Sequence, residues 1–206
     1  MTKRKRNQLL AIGFFVIGIV FLYIDGIPLL PPVVTQNAVL LKGIAFVLLS
    51  IAAILGGTAF ENRQRIAVIS GVGLIIGLGF LYLPIPAILR GSAFHLLFAG
   101  AIAFGMTTAA KQVATIGSAL LACLGIIFLY QPFFPSLGGT ALHLLLPGII
   151  VFSIVFSEKT VCERLSVGLI ALSLIALCQP FFILFYETGF QLLLVGLTGF
   201  IVAVHR

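Results

Sequence analysis

Eight apolar segments follow one another along the chain, at roughly 8–24, 38–60, 66–83, 92–110, 113–131, 139–157, 165–183 and 189–205. Inside them the apolar residues run on without the every-second-residue alternation of a barrel strand, which makes an outer-membrane barrel a poor alternative. At 1.5 Å per residue each segment is long enough to cross a hydrocarbon core of about 30 Å, some only just. The connections are short, so consecutive helices must be antiparallel neighbours. The expected fold is all-α: a polytopic membrane protein of eight transmembrane helices in a single domain, 1–206, with hairpins at 8–60, 66–110, 113–157 and 165–205.

The pattern repeats. Tyr82-Leu83-Pro84, Tyr130-Gln131-Pro132 and Cys178-Gln179-Pro180 are spaced by 130 − 82 = 48 and 178 − 130 = 48 residues. His95, His143 and Gln191 show the same spacing, 143 − 95 = 48 and 191 − 143 = 48. The unit is one helical hairpin. Phe21-Leu22-Tyr23 matches Phe80-Leu81-Tyr82 and Phe128-Leu129-Tyr130, which brings in the first hairpin. Its returning helix is aligned by matching Gly43 to Gly100, Gly148 and Gly196. That alignment makes its outer loop two residues longer, since 82 − 23 = 59 and 100 − 43 = 57. The loop contains Pro28, Pro31 and Pro32, which stiffen a non-helical connection. Hairpins that each start and end on one side form parallel repeats, related by an axis along the membrane normal.

Composition agrees with lipid as the solvent: 61% of the 206 residues are hydrophobic and 8% charged, with a mean hydropathy of +1.28. Charge sets the orientation. With the N-terminus inside, Lys3, Arg4, Lys5, Arg6, Arg63, Arg65, Lys111, Lys159, Arg164 and Arg206 are cytoplasmic, and only Lys42 and Arg90 lie at the other end. This positive-inside bias and the even helix count put both termini in the cytoplasm of a cell inner (plasma) membrane. The net charge of +7 does not indicate nucleic acid, because the basic run abuts an apolar segment, as a topogenic or lipid-headgroup contact does. No small-x-small site follows Leu9 to Ile24, so this segment reads as an uncleaved first helix. Cys123, Cys162 and Cys178 form no C-x-x-C pair and read as small buried apolar residues, Cys162 in a cytoplasmic loop.

Two sets of residues stand out. Gly18, Gly77 and Gly125 (with Ser173) on outgoing helices, and Gly43, Gly100, Gly148 and Gly196 on returning ones, are expected to let helix backbones approach closely. His95, His143 and Gln191 would form a polar ring beneath the outer surface if they face a common axis. Such a ring would bind a headgroup, a quinone-like ligand or protons, and would change charge in mild acid. Arg90, in the loop before His95, is a candidate anion contact. Lys42 is expected to snorkel to the headgroups or to pair with Asp25 or Glu187. The loop from Ser157 to Arg164 reads as a solvated turn. The aromatic loops at Gln131 to Pro135 and Gln179 to Phe182 read as interfacial wedges.

No catalytic arrangement emerges: no H-E-x-x-H, G-x-S-x-G, P-loop or dinucleotide fingerprint. None of the five acids falls in an apolar run. No metal site and no cofactor are expected, and the chain reads as a non-enzyme. The stretches Gly77 to Pro84 with Gly100, and Gly125 to Pro132 with Gly148, resemble the HdeD family of small acid-resistance membrane proteins, which has six helices where this chain reads as eight. The resemblance implies an inner-membrane stress protein without known catalysis. The expected role is that of an accessory or scaffold subunit or a membrane stress protein. Its partners would be membrane lipids, other membrane-protein subunits or a second copy in a homo-oligomer, and no nucleic acid. A small permease or channel built on the polar ring, and a haem or quinone redox subunit, are the alternatives.

Overall fold

The computed structural model describes residues 2–26, 37–131, 135–179 and 182–206, and among them it contains helices but no strand. The long helices are α1 (Lys3–Leu22), α2 (Ala38–Ala59), α3 (Arg63–Tyr82), α4 (Ala87–Thr107), α5 (Lys111–Tyr130), α6 (Ala141–Val155), α7 (Lys159–Cys178) and α8 (Ile183–His205). A 3-10 turn, Ile24–Gly26, follows α1, and one helical turn, Pro135–Gly138, precedes α6. All but α6 are long and apolar enough to cross a membrane. With 15 residues, α6 reaches only about 22 Å.

Local chemistry explains where the helices stop and start. Proline stands two residues beyond the ends of α3 and α5, at Pro84 and Pro132, and holds the preceding residue out of the helical region. Thr2 and Asn62 cap α1 and α3 by accepting from the backbone N–H of Lys5 and Arg65. Six helices begin earlier than their apolar runs, and α1, α4, α7 and α8 do so by more than a turn, at Lys3, Ala87, Lys159 and Ile183. Arg90 therefore lies in the first turn of α4 and not in a loop. Cys162 is buried in the first turn of α7, and Glu187 is inside α8. Helical hydrogen bonding continues through residues whose side chains reach water, so hydropathy alone places these ends too late. Cys123 and Cys178 are exposed helical residues, contrary to the expectation that all three cysteines are buried. The loop prolines Pro28, Pro31 and Pro32, and residues 132–134 and 180–181 of the aromatic loops, lie outside the described residues.

The chain forms two compact units, Met1–Thr108 and Ala109–Arg206. In the first, α1 packs on α2, α3 packs on α4, and the two hairpins meet through α2 and α4. In the second, α5 packs on α6, α7 packs on α8, and the hairpins meet through α6 and α8. Each unit thus joins its hairpins by their returning helices.

Glycines mark the tight crossings. A Cβ built on Gly18 would sit 2.9 Å from Cγ of Leu49, one on Gly77 2.9 Å from Cγ of Leu97, and one on Gly125 2.6 Å from Cγ of Leu145. On the returning helices, Gly100 faces Leu74 and Ser70, Gly148 faces Ala122 and Ser118, and Gly196 faces Ile170. Gly43 departs from this set. A Cβ there would meet nothing within 4 Å. The residue that takes its place is Ala52, which is buried and lies at 100 − 52 = 48 residues from Gly100. Leu49 and Leu97 obey the same offset, 97 − 49 = 48, as do the fully buried Ala45, Ala93 and Ala141. The register of α2 is therefore shifted by nine residues from the glycine match, because 57 − 48 = 9. The extra length in the first outer connection is 59 − 48 = 11 residues and not two.

Candidate functional site

The first unit contains an apolar crevice of ≈ 340 Å³ between its two hairpins. All four helices contribute, with Phe15 from α1, Gly56 from α2, Ile69 and Gly73 from α3, and His95 and Ala99 from α4. Small residues create it. Cβ atoms built on Gly56 and Gly73 would meet nothing within 4 Å, so these glycines leave space where Gly77 and Gly100 close a contact. The rim is open and apolar: Phe15 is 54% and Ile69 66% exposed. Along α2 the lining runs from Leu49 to Gly56 and on to Phe60. That is about 16 Å at the helical rise, roughly half the hydrocarbon thickness.

His95 stands at the end of the crevice away from Arg63 and Arg65, beside Lys42. Its Nε2 is 3.3 Å from the carbonyl oxygen of Lys42, to which it donates in the tautomer that carries a proton there. Phe46 meets the imidazole edge-on at 5.9 Å, Phe94 stacks on Phe46, and Phe98 tilts against it. Nδ1 of His95 is buried without a hydrogen bond among the described residues. Arg90 is exposed in the first turn of α4.

The other two members of the expected polar ring belong to the second unit. His143 lies half-buried on α6 and Gln191 half-buried on α8, two helices that pack together. Oε1 of Gln191 is buried without a hydrogen bond among the described residues. Pro147, inside α6, offers no N–H to the carbonyl of His143 four residues earlier. Among the described residues no group of three or more His, Cys, Asp or Glu side chains is placed to hold a metal ion.

A polar link within each unit escaped the sequence reading. The Tyr23 hydroxyl donates to Ser92 Oγ at 2.9 Å, and Thr188 Oγ1 donates to the Tyr130 hydroxyl at 3.2 Å. Each bond ties the end of one hairpin's outgoing helix to the next hairpin's returning helix. The signal was present: Ser92 and Thr188 stand two repeats apart, 188 − 92 = 96. The basic residues also make specific contacts. Arg4 Nε and Gln8 Nε2 donate to the Ala59 carbonyl at the end of α2, and Arg4 also pairs with Glu61. Arg206 donates to the carbonyls of Ser153 and Phe156 at the end of α6, and Lys159 to that of Val204 in α8. Cations thus satisfy the orphan carbonyls at the negative ends of three returning helices.

The apolar helices and outward apolar faces define a helical, multi-pass membrane protein. No family model matches the chain, and no curated protein and no solved structure matches it.

Proposed function

We propose that the chain is a non-enzymatic inner-membrane protein with eight crossings and both termini in the cytoplasm, acting as an accessory or scaffold subunit. The observation that carries this reading is the nature of its surface. Large apolar side chains point outward along the helices, among them Ile75 at 70% and Val113 at 71% exposure, while most connections between helices are short. Such a chain meets its partners chiefly inside the bilayer. The parallel hairpin repeat is supported in the first three hairpins by the leucines that face glycine, Leu49, Leu97 and Leu145, which stand at 48-residue steps. An eighth crossing by α6 is supported by its burial on every face, from Leu144 to Val151. A helix screened by neighbours need not match the bilayer alone. The resemblance to the HdeD family extends the reading to a role in membrane stress.

Topology and partnership are tested separately. A reporter active only in the cytoplasm should work at Arg206, and one active only outside should work at Ser136. A silent reporter at either position overturns the eight-crossing arrangement. A photo-crosslinking residue at Ile75 or Val113 should give a discrete protein adduct in intact cells. Adducts with lipid alone at both sites overturn the scaffold role.

A further inference from the structure

We propose that the crevice of the first unit is the seat of one anionic glycerophospholipid, with an acyl chain between the two hairpins and the phosphate at the basic end beside Arg65. Three observations converge on this occupant. First, the crevice is apolar, open along its rim and about one leaflet deep, from Phe60 and Ile66 at the basic end to His95 at the other. Second, its basic mouth adjoins a shallower hollow that shares Ile69 with it and adds Val68 and the polar side chains of Asn62, Gln64 and Arg65 over a mostly apolar floor. An acyl chain and its headgroup need apolar and polar surfaces in that order. Third, the charge is complementary. Lys3, Arg4, Lys5, Arg6, Arg63 and Arg65 gather at the basic ends of α1 and α3, opposed among the described side chains there by Glu61. Arg4 is engaged with Glu61 and the Ala59 carbonyl. Arg65 is exposed at that hollow, where a guanidinium can take two phosphate oxygens at once.

The seat depends on this unit alone and holds whichever way the chain is oriented, so its failure is separable from that of the topology. The purified full-length chain in mild detergent is titrated with phosphatidylglycerol and with phosphatidylcholine of the same acyl chains, and bound lipid is read by native mass spectrometry. The wild-type chain should retain one phosphatidylglycerol, with a preference over phosphatidylcholine of roughly five-fold or more, the scale of one interfacial cation. Arg65→Gln should remove most of that preference. Gly56→Leu and Gly73→Leu should each lower occupancy by both lipids while leaving thermal stability unchanged, since the added side chain enters open space. Equal retention of the two lipids by the wild-type chain overturns the headgroup assignment. Wild-type occupancy in both glycine variants overturns the crevice as the acyl seat. A dimer that dissociates on Gly73→Leu assigns the crevice to a second copy instead. Loss of binding on His95→Ala, with no change on Arg65→Gln, places the headgroup at the opposite end and overturns the proposal.

Discussion

The two units share one plan and differ in how tightly they execute it. Each joins two hairpins through their returning helices, each has a tyrosine at the end of its first outgoing helix, and each ties that tyrosine to a hydroxyl on the other hairpin's returning helix. Their glycine crossings differ with the residue opposite. Gly100 looks onto the Leu74 side chain, its Cβ position 3.2 Å from Cγ, which can yield by a rotamer change. Gly148 looks onto backbone, with the Ala122 nitrogen at 2.9 Å and the Ser118 oxygen at 3.0 Å. Of these two glycines, 48 residues apart, Gly148 is therefore demanded strictly and Gly100 only preferred. Glycines beside open space occur in both units, Gly56 and Gly73 in the first and Gly117 and Gly168 in the second, and the first pair borders the crevice. A small residue in a membrane helix is a close contact or a gap according to what its neighbour brings.

The largest effect expected from this comparison separates three glycines. Gly148→Leu should destabilise by about 3 kcal/mol or more, Gly100→Leu by about 1–2 kcal/mol, and Gly43→Leu by less than about 0.5 kcal/mol. Thermal unfolding in mild detergent ranks them, and equal losses at positions 148 and 100 would erase the distinction drawn between the units. A smaller effect concerns the shared hydroxyl bonds. Tyr23→Phe and Tyr130→Phe should each cost about 0.5–1.5 kcal/mol, with similar coupling to Ser92→Ala and Thr188→Val in double-mutant cycles. Coupling in one unit alone would show that the plan is not shared at this point. The smallest effect is at the helix ends. Arg206→Gln and Arg4→Gln should cost about 0.3–1 kcal/mol each, a loss that added salt reduces. A stability that is unchanged in low salt would mean the carbonyls of Ala59 and Ser153 are served as well by water.

Much of this architecture could be read from the chain because lipid imposes it. Backbone groups in hydrocarbon must be bonded within the helix, and side chains that meet lipid must be apolar. The long helices therefore show as apolar runs, proline follows the ends of α3 and α5, and the 48-residue step links Gly77 to Gly125 and Leu97 to Leu145. Only the tertiary structure decided which apolar residue packs and which faces lipid. In water, a buried face differs from an exposed one in polarity. In a membrane both are apolar, so Gly43 and Ala52 are equivalent by hydropathy although one is open and the other buried. For that reason a glycine match misplaced the register of α2 by nine residues, and the leucine knobs recovered it. His95 could be picked out by its repeat spacing, but not its position at the end of an apolar crevice. The crevice is the volume that Gly56, Gly73 and Ala99 fail to fill, and a missing volume has no letter in a sequence.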